Sequence, residues 1–287
     1  MTEQTPFRRF AEEFAASRVA LGGLALLALI VLVALAAPWL APQDPYDLAK
    51  LDLMDSRQPP GGKYLLGTDG QGRDMLSAIF YGLRVSLYVG VASGVIALTL
   101  GALVGVLAAY VGGRFESLLM RVVDIQLGFP AILVALILIA VLGKGVDKII
   151  FALVCVQWAY YARTARSAAL VERGKEYIEA ARGLGLSHAR IVFRHLLPNA
   201  LPPLIVVGTV QVAHAIALEA TLSFLGLGLP STEPSLGLLI ANGYEYLLSG
   251  RYWISMYPGI ALLLTILSIN LVGDQLRDVL NPRLARA

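Results

Sequence analysis

The chain has 287 residues, 57% of them hydrophobic and only 15% charged, with a formal net charge of +3. Soluble domains carry about a quarter charged residues, so a chain this apolar cannot cover itself with polar surface and turns its excess toward lipid. Its one cysteine, Cys155, excludes an internal disulfide and a cysteine-based metal centre, and reads as a small buried apolar residue.

In chain order, Phe7, Phe10 and Phe14 recur at helical spacing with Arg8, Arg9, Glu12 and Glu13 between them. That pattern predicts a short amphipathic helix on the cytoplasmic membrane face within segment 1–18. The uncharged run 19–41 is long enough to cross about 30 Å of hydrocarbon and predicts a first span. It ends in Ala34-Leu35-Ala36-Ala37, which resembles a signal-peptidase site. The run exceeds the about 7–15 residues of a signal's apolar region and Pro38 would follow the cut, so it reads as a retained helix. A polar external loop over 42–83, with turns at Pro42, Pro45, Pro59-Pro60 and Gly61-Gly62, comes next.

Segment 84–273 forms the core domain. Uncharged runs at 85–113, 125–143 and 252–273 predict three spans. A further span over 201–228 is interrupted by His214 and Glu219, and the run 149–162 is short enough to need Lys148 or Arg163 to snorkel. The expectation is therefore an all-α protein with six transmembrane helices and a tail over 274–287. Gly90-xxx-Gly94 and Gly101-xxx-Gly105 predict close helix packing. Gly128-Phe129-Pro130 and Pro258-Gly259 predict kinks. With both termini cytoplasmic, fifteen of the 23 Lys and Arg fall inside, as the positive-inside rule requires. The positive charge then reports topology and contact with anionic membrane lipid, and calls for no nucleic-acid partner.

The segment 163–198 is the most informative. It holds Glu179-Ala180-Ala181, Gly185 and Leu197-Pro198 in the frame Glu-Ala-Ala-x3-Gly-x11-Leu-Pro. Physically, 177–184 forms a helix, Gly185 breaks it, Ser187 caps a second short helix over 189–196, and Pro198 stops that helix. The frame resembles the Glu-Ala-Ala coupling loop of ABC importer permeases, which docks into a groove on an ATPase subunit. By that resemblance Glu179, Ala180, Ala181, Gly185, Leu197 and Pro198 match the motif. His195 stands where an apolar residue is usual, with Ile191 and Leu196 remaining for an apolar contact.

Further stretches narrow the resemblance: Leu66-Gly67-Thr68-Asp69-x-x-Gly72-Arg73-Asp74, Gly82-x-Arg84-x-Ser86-Leu87, Arg121-x-x-Asp124, Ser223 to Gly228, and Gly273-Asp274-x-x-Arg277-Asp278 before Asn281-Pro282. Together they resemble the second permease of dipeptide, oligopeptide and nickel importers. The resemblance implies a type I ABC importer fold in the bacterial inner membrane and a heterodimer with a homologous permease. It also implies two ATPase subunits carrying ATP and magnesium, an external solute-binding protein, and a peptide cargo, with nickel or another small solute as the alternative. No Gly-Lys pair here is followed by Ser or Thr as a phosphate-binding loop requires, so this chain is expected to hold no catalytic residue, cofactor or metal.

Two other classes compete. An ion-coupled carrier would use Glu219, His214 and Asp124 as relays, and in an importer the same three are candidates for the pathway. Glu219 would then face the pathway or the partner permease, or else make a hydrogen bond inside the bundle. An intramembrane serine protease would pair Ser93 with His214, but isolated small and polar residues more often pack helices.

Overall fold

A computed structural model describes residues 6–45, 47, 49, 51–230 and 232–280. Lys50, Arg283, Arg286, Asn281-Pro282 and the side chain of Phe7 lie outside the described set. Helices make up the described regular structure, apart from two isolated bridges in the loop before residue 75.

Helix α1 (Pro6–Ala15) is amphipathic as expected. Arg8–Glu12 and Arg9–Glu13 pair along one side at 2.9 and 2.7 Å, and Phe10 stacks on Phe14. It packs against α2 (Arg18–Leu35) and against the last helix, whose Gln275 donates to the Glu13 carbonyl. Ser17 caps α2 by accepting the Ala20 N–H. The apolar run does not continue as one helix to residue 41. Pro38 has no N–H and its ring crowds the preceding turn, so the chain breaks at Ala36 and restarts as the single turn α3 (Ala37–Leu40).

Helix α4 (Met75–Val111) starts nine residues before position 84, the expected start of the core domain. Asp74 caps it, accepting from the Ser77 N–H at 2.9 Å, and Arg84 lies on its exposed side, so the charge there marks no boundary. At 37 residues the helix is about 55 Å long and exceeds the hydrocarbon thickness.

Helices α5 (Gly113–Gly128) and α6 (Ala131–Leu142) form the expected kinked element, bent by 89°. Pro130 forces Phe129 into an extended conformation (φ −91°, ψ 142°), which ends α5. With 12 residues α6 spans about 18 Å and does not cross alone. Helix α7 (Val146–Arg173) has 28 residues, twice its apolar run. Arg163, expected to snorkel, pairs instead with Asp124 of α5, and Arg166 pairs with Glu116 of the same helix. Four described helices are long and apolar enough to cross a membrane, five if α5 and α6 count as one span. The expected six is reached only by adding α7, which has the length but not the apolarity.

After α8 (Glu176–Gly183) and the turn α9 (His188–Arg190), the chain passes through a π-helical turn, Ile191–Leu196, into α10 (Leu197–Phe224). The second short helix therefore does not stop at Pro198. It is the start of a continuous 37-residue helix, His188–Phe224. In the wide turn the Leu197 N–H reaches back five residues to the Val192 carbonyl, and the register shift takes up the proline ring without a break. The short α11 (Leu236–Tyr244) and α12 (Trp253–Leu280), which carries Pro258 in its interior, complete the bundle.

Helices α4, α7, α10 and α12 form the centre, with α2 and α11 packed on α12. The two glycine pairs of α4 each serve a different neighbour. A Cβ on Gly90 or Gly94 would meet Ile216 or Val212 of α10, and one on Gly105 would sit 2.2 Å from the Ala162 carbonyl of α7. Lipid supplies no hydrophobic force between helices, so such backbone approach carries the packing. We expect Gly105→Val to cost at least about 1–3 kcal/mol by overpacking, read as a lower melting temperature of the purified protein in detergent. Gly208→Ala, which meets no atom within 4 Å, is the control and should melt like wild type.

Candidate functional site

The segment between α7 and α10 is built from one tight turn. Helix α8 ends in a Schellman arrangement: Leu186 N–H donates to the Ala181 carbonyl (3.2 Å) and Gly185 N–H to the Arg182 carbonyl (2.9 Å). Gly185 sits at φ +70°, the left-handed conformation this turn demands, with open space where a Cβ would be. Ser187 then caps α9 by accepting the Arg190 N–H. The break at Gly185 and the cap at Ser187 stand as the residue pattern predicts, with α8 displaced by one residue from 177–184.

The two faces of this segment differ sharply. Ile178, Ala181, Ile191 and Leu196 enter the apolar cluster formed by Val106 and Ala109 of α4 and Ala165 and Ala169 of α7. Ile191 and Leu196, expected to serve an apolar contact with another protein, are 1% and 0% exposed and are spent inside the chain. Each buried side chain of this size contributes about 2 kcal/mol, which mounts the segment rigidly on the bundle. The outward face instead presents Leu184 (79% exposed) and Phe193 (54%), with Glu179, Ala180, Gly185 and Pro198 also exposed. His195 and Leu197 are half-buried. Sequence reading missed Leu184 and Phe193 because one lies in the turn that ends α8 and the other in a π-helical turn, where α-helical periodicity does not tell the buried side from the exposed one. Tyr177 donates to Glu172 (2.7 Å), and burial together with that carboxylate pushes its phenol up to about 12.

The three candidate pathway residues are not brought together. Glu219 is fully buried, accepting from Ser86 of α4 (3.0 Å) and from Ser223 one turn on (2.8 Å), with Ser235 adding a third side-chain bond. That arrangement is the hydrogen bond inside the bundle, and it ties α10 to α4 and to the start of α11. His214 lies on the exposed side of α10, and Asp124 is an exposed partner of Arg163. Ser93 donates to the Val89 carbonyl of its own helix at 2.7 Å while His214 faces outward, so the two form no dyad. Cys155 is half-buried and unbridged. Along α7, α10 and α12 runs an open cleft of about 870 Å³, walled by Pro202, Pro203 and Val206 and ending at Asp274 and Arg277.

A bundle of long apolar helices with a rigidly mounted, outward-facing turn at one end is the architecture of a multi-span membrane protein. Two inward-facing structures of the MetNI methionine ABC transporter share the fold, at TM-scores of 0.59 and 0.58 and 24% identity over 71% of this chain and 97% of theirs. That is the type I ABC importer permease fold. The family model for the inner membrane component of binding-protein-dependent transport systems matches residues 75–286, starting at the first residue of α4. The model for the N-terminal transmembrane domain of oligopeptide transport permease C matches residues 5–60. The di/tripeptide transport permease DppC of Pseudomonas aeruginosa is 40% identical over 99% of this chain and 94% of its own length. The dipeptide transport permease DppC of Bacillus subtilis is 35% identical over 94% and 83%. The chain belongs to the family of binding-protein-dependent transport permeases, the inner-membrane subunits of ABC importers.

The Glu219 cluster makes a distinct prediction. Glu219→Leu leaves the Ser86 and Ser223 hydroxyls unpaired in a dry site and should cost about 1–3 kcal/mol, while Glu219→Gln keeps one acceptor oxygen for one serine and offers an amide N–H that the other can accept, and should cost less. Melting of the purified protein in detergent reads both variants. Equal stability of Glu219→Leu and wild type would show that the cluster ties nothing together.

Proposed function

We propose that this chain is half of the translocation pathway of an ATP-driven importer of di- and oligopeptides, and that Glu179 to Pro198 couples it to a separate ATPase. The observation that carries the coupling reading is the two-sided build of that segment: an exposed turn at Leu184-Gly185 whose rear face is locked among α4, α7 and α10. A push on Leu184 and its neighbours cannot be absorbed locally and must move the helices that own the buried face. ATP binding on the partner subunits would then shift the bundle between inward- and outward-open arrangements, a population shift driven by differential binding.

Membership of the family supports extending this proposal to the remaining assembly. A homologous permease completes the pathway, two ATPase subunits perform the hydrolysis, and an external solute-binding protein delivers cargo. The distribution of Lys and Arg supports an orientation with both termini and the coupling segment in the cytoplasm. The peptide assignment rests on the relatives named above, with nickel or another small solute as the alternative cargo within the family resemblance. Uptake of a labelled dipeptide should be lost on deleting this subunit, with nickel uptake unchanged; the opposite pattern would reverse the assignment.

Coupling is tested separately. Gly185→Val places a β-branched residue at φ +70°, costing about 1–2 kcal/mol in the turn alone, since no neighbouring atom is near. Glu179→Lys reverses a charge on the exposed face. Both variants should insert normally yet lose their ATPase subunits or hydrolyse ATP without transport, measured in reconstituted vesicles. Wild-type transport and stimulated hydrolysis in both would remove the coupling role.

A further inference from the structure

Beside the coupling turn, where α4 ends, lies a recess of about 760 Å³ whose polar side chains are two arginines, a histidine and a tyrosine. Arg173, Arg182 and His188 line it, and no Asp or Glu does. Among the described residues neither arginine is paired with a carboxylate. The groups are also held in place. The Tyr110 hydroxyl lies 2.6 Å from His188 Nδ1, which occupies that nitrogen and leaves Nε2 for a ligand. The Arg182 guanidinium sits over the Tyr110 ring at 5.5 Å, and Arg173 is anchored through one nitrogen on the Ala109 carbonyl at 2.5 Å.

The wall of the recess is apolar and does not stop at its rim. Leu107 and Val111 line it, and they continue a stripe of exposed residues on α4 through Leu100 and Ile96. These positions are spaced four, seven and four residues apart, so they share one face of the helix. From Ile96 to Val111 the stripe is about 22 Å long. A carboxylate on a protein partner would use the cations but leave the stripe uncovered. A ligand with an anionic head and a long hydrocarbon tail uses both.

We propose that the recess binds an anionic phospholipid, its phosphate held by Arg173, Arg182 and His188 and an acyl chain laid along the stripe from Val111 to Ile96. Bound there, the lipid would bridge α4 to the turn that carries the coupling segment. The recess shares Arg182, His188 and Phe193 with the coupling segment, but its occupancy is read by lipid labelling, so failure of the lipid site is distinguished from failure of coupling, which is read by ATPase association and transport.

The test uses the assembled importer in nanodiscs and phosphatidylglycerol or phosphatidylcholine carrying a photoreactive acyl chain. The phosphatidylglycerol probe should label α4 between residues 96 and 111 in preference to the phosphatidylcholine probe. Arg182→Gln should reduce that labelling by about fivefold, the effect of one arginine at an anionic lipid surface, and His188→Gln should reduce it as well by removing the Nε2 contact. Inorganic phosphate at millimolar concentration should not displace the probe; if it does, the site takes free phosphate and the lipid assignment fails. Equal labelling by both probes, labelling unchanged in both variants, or cross-links from the stripe to a protein partner would each overturn the proposal. Should a variant fail to assemble, the headgroup comparison on the wild type decides alone.

Discussion

The approach of α4 to α7 at Gly101 and Gly105 sets the geometry on which the rest depends. At both positions a Cβ would lie within 3 Å of the α7 backbone, so the two helices touch through main chain. This contact fixes where Ala165 and Ala169 stand relative to Val106 and Ala109, and those residues are the floor on which Ile178, Ile191 and Leu196 sit. Packing in the membrane and the placement of the exposed turn are thus one problem with one solution. A change of an ångström between α4 and α7 would be felt at Leu184.

A second tie operates nearer the other end of the bundle. Glu219 gathers hydroxyls from α4, α10 and the segment leading to α11, and Ser235 both bonds Glu219 and caps α11 through the Leu238 N–H. Close to it, Gly228 and Gly237 approach the backbone of α10 at Ser223 and Ala220, leaving no room for side chains. The buried carboxylate is therefore at the crossing of three elements. Its cost in a dry site is offset by serines that would otherwise lack partners of their own.

Much of this was legible in the residues. Long uncharged runs marked the apolar helices, glycine pairs marked the close contacts, and Glu-Ala-Ala followed by Gly185 marked the turn. Three things were not legible. Charge marks helix ends poorly when a helix is longer than the bilayer is thick, which is why Arg84 misplaced the start of α4. Arg163 read as a candidate for snorkelling because its partner, Asp124, lies about forty positions away in sequence. The inward turn of Ile191 and Leu196 depended on a π-helical register that no hydrophobic pattern announces.

That register has a consequence of its own. A π turn is an α-helix with one residue too many, and each residue of an α-helix advances the direction of the side chains by about 100°. The Ile191–Leu196 turn, which itself bears Phe193, therefore acts as a phase offset between the exposed turn α9 and the membrane helix that bears Glu219. With the offset, Ile191 points into the core and Phe193 away from it while α10 still presents Glu219 to Ser86. Without it, one of the two ends would be out of phase with its neighbours. The single supernumerary residue ahead of Pro198 is what allows one continuous helix to satisfy two environments that were never in step.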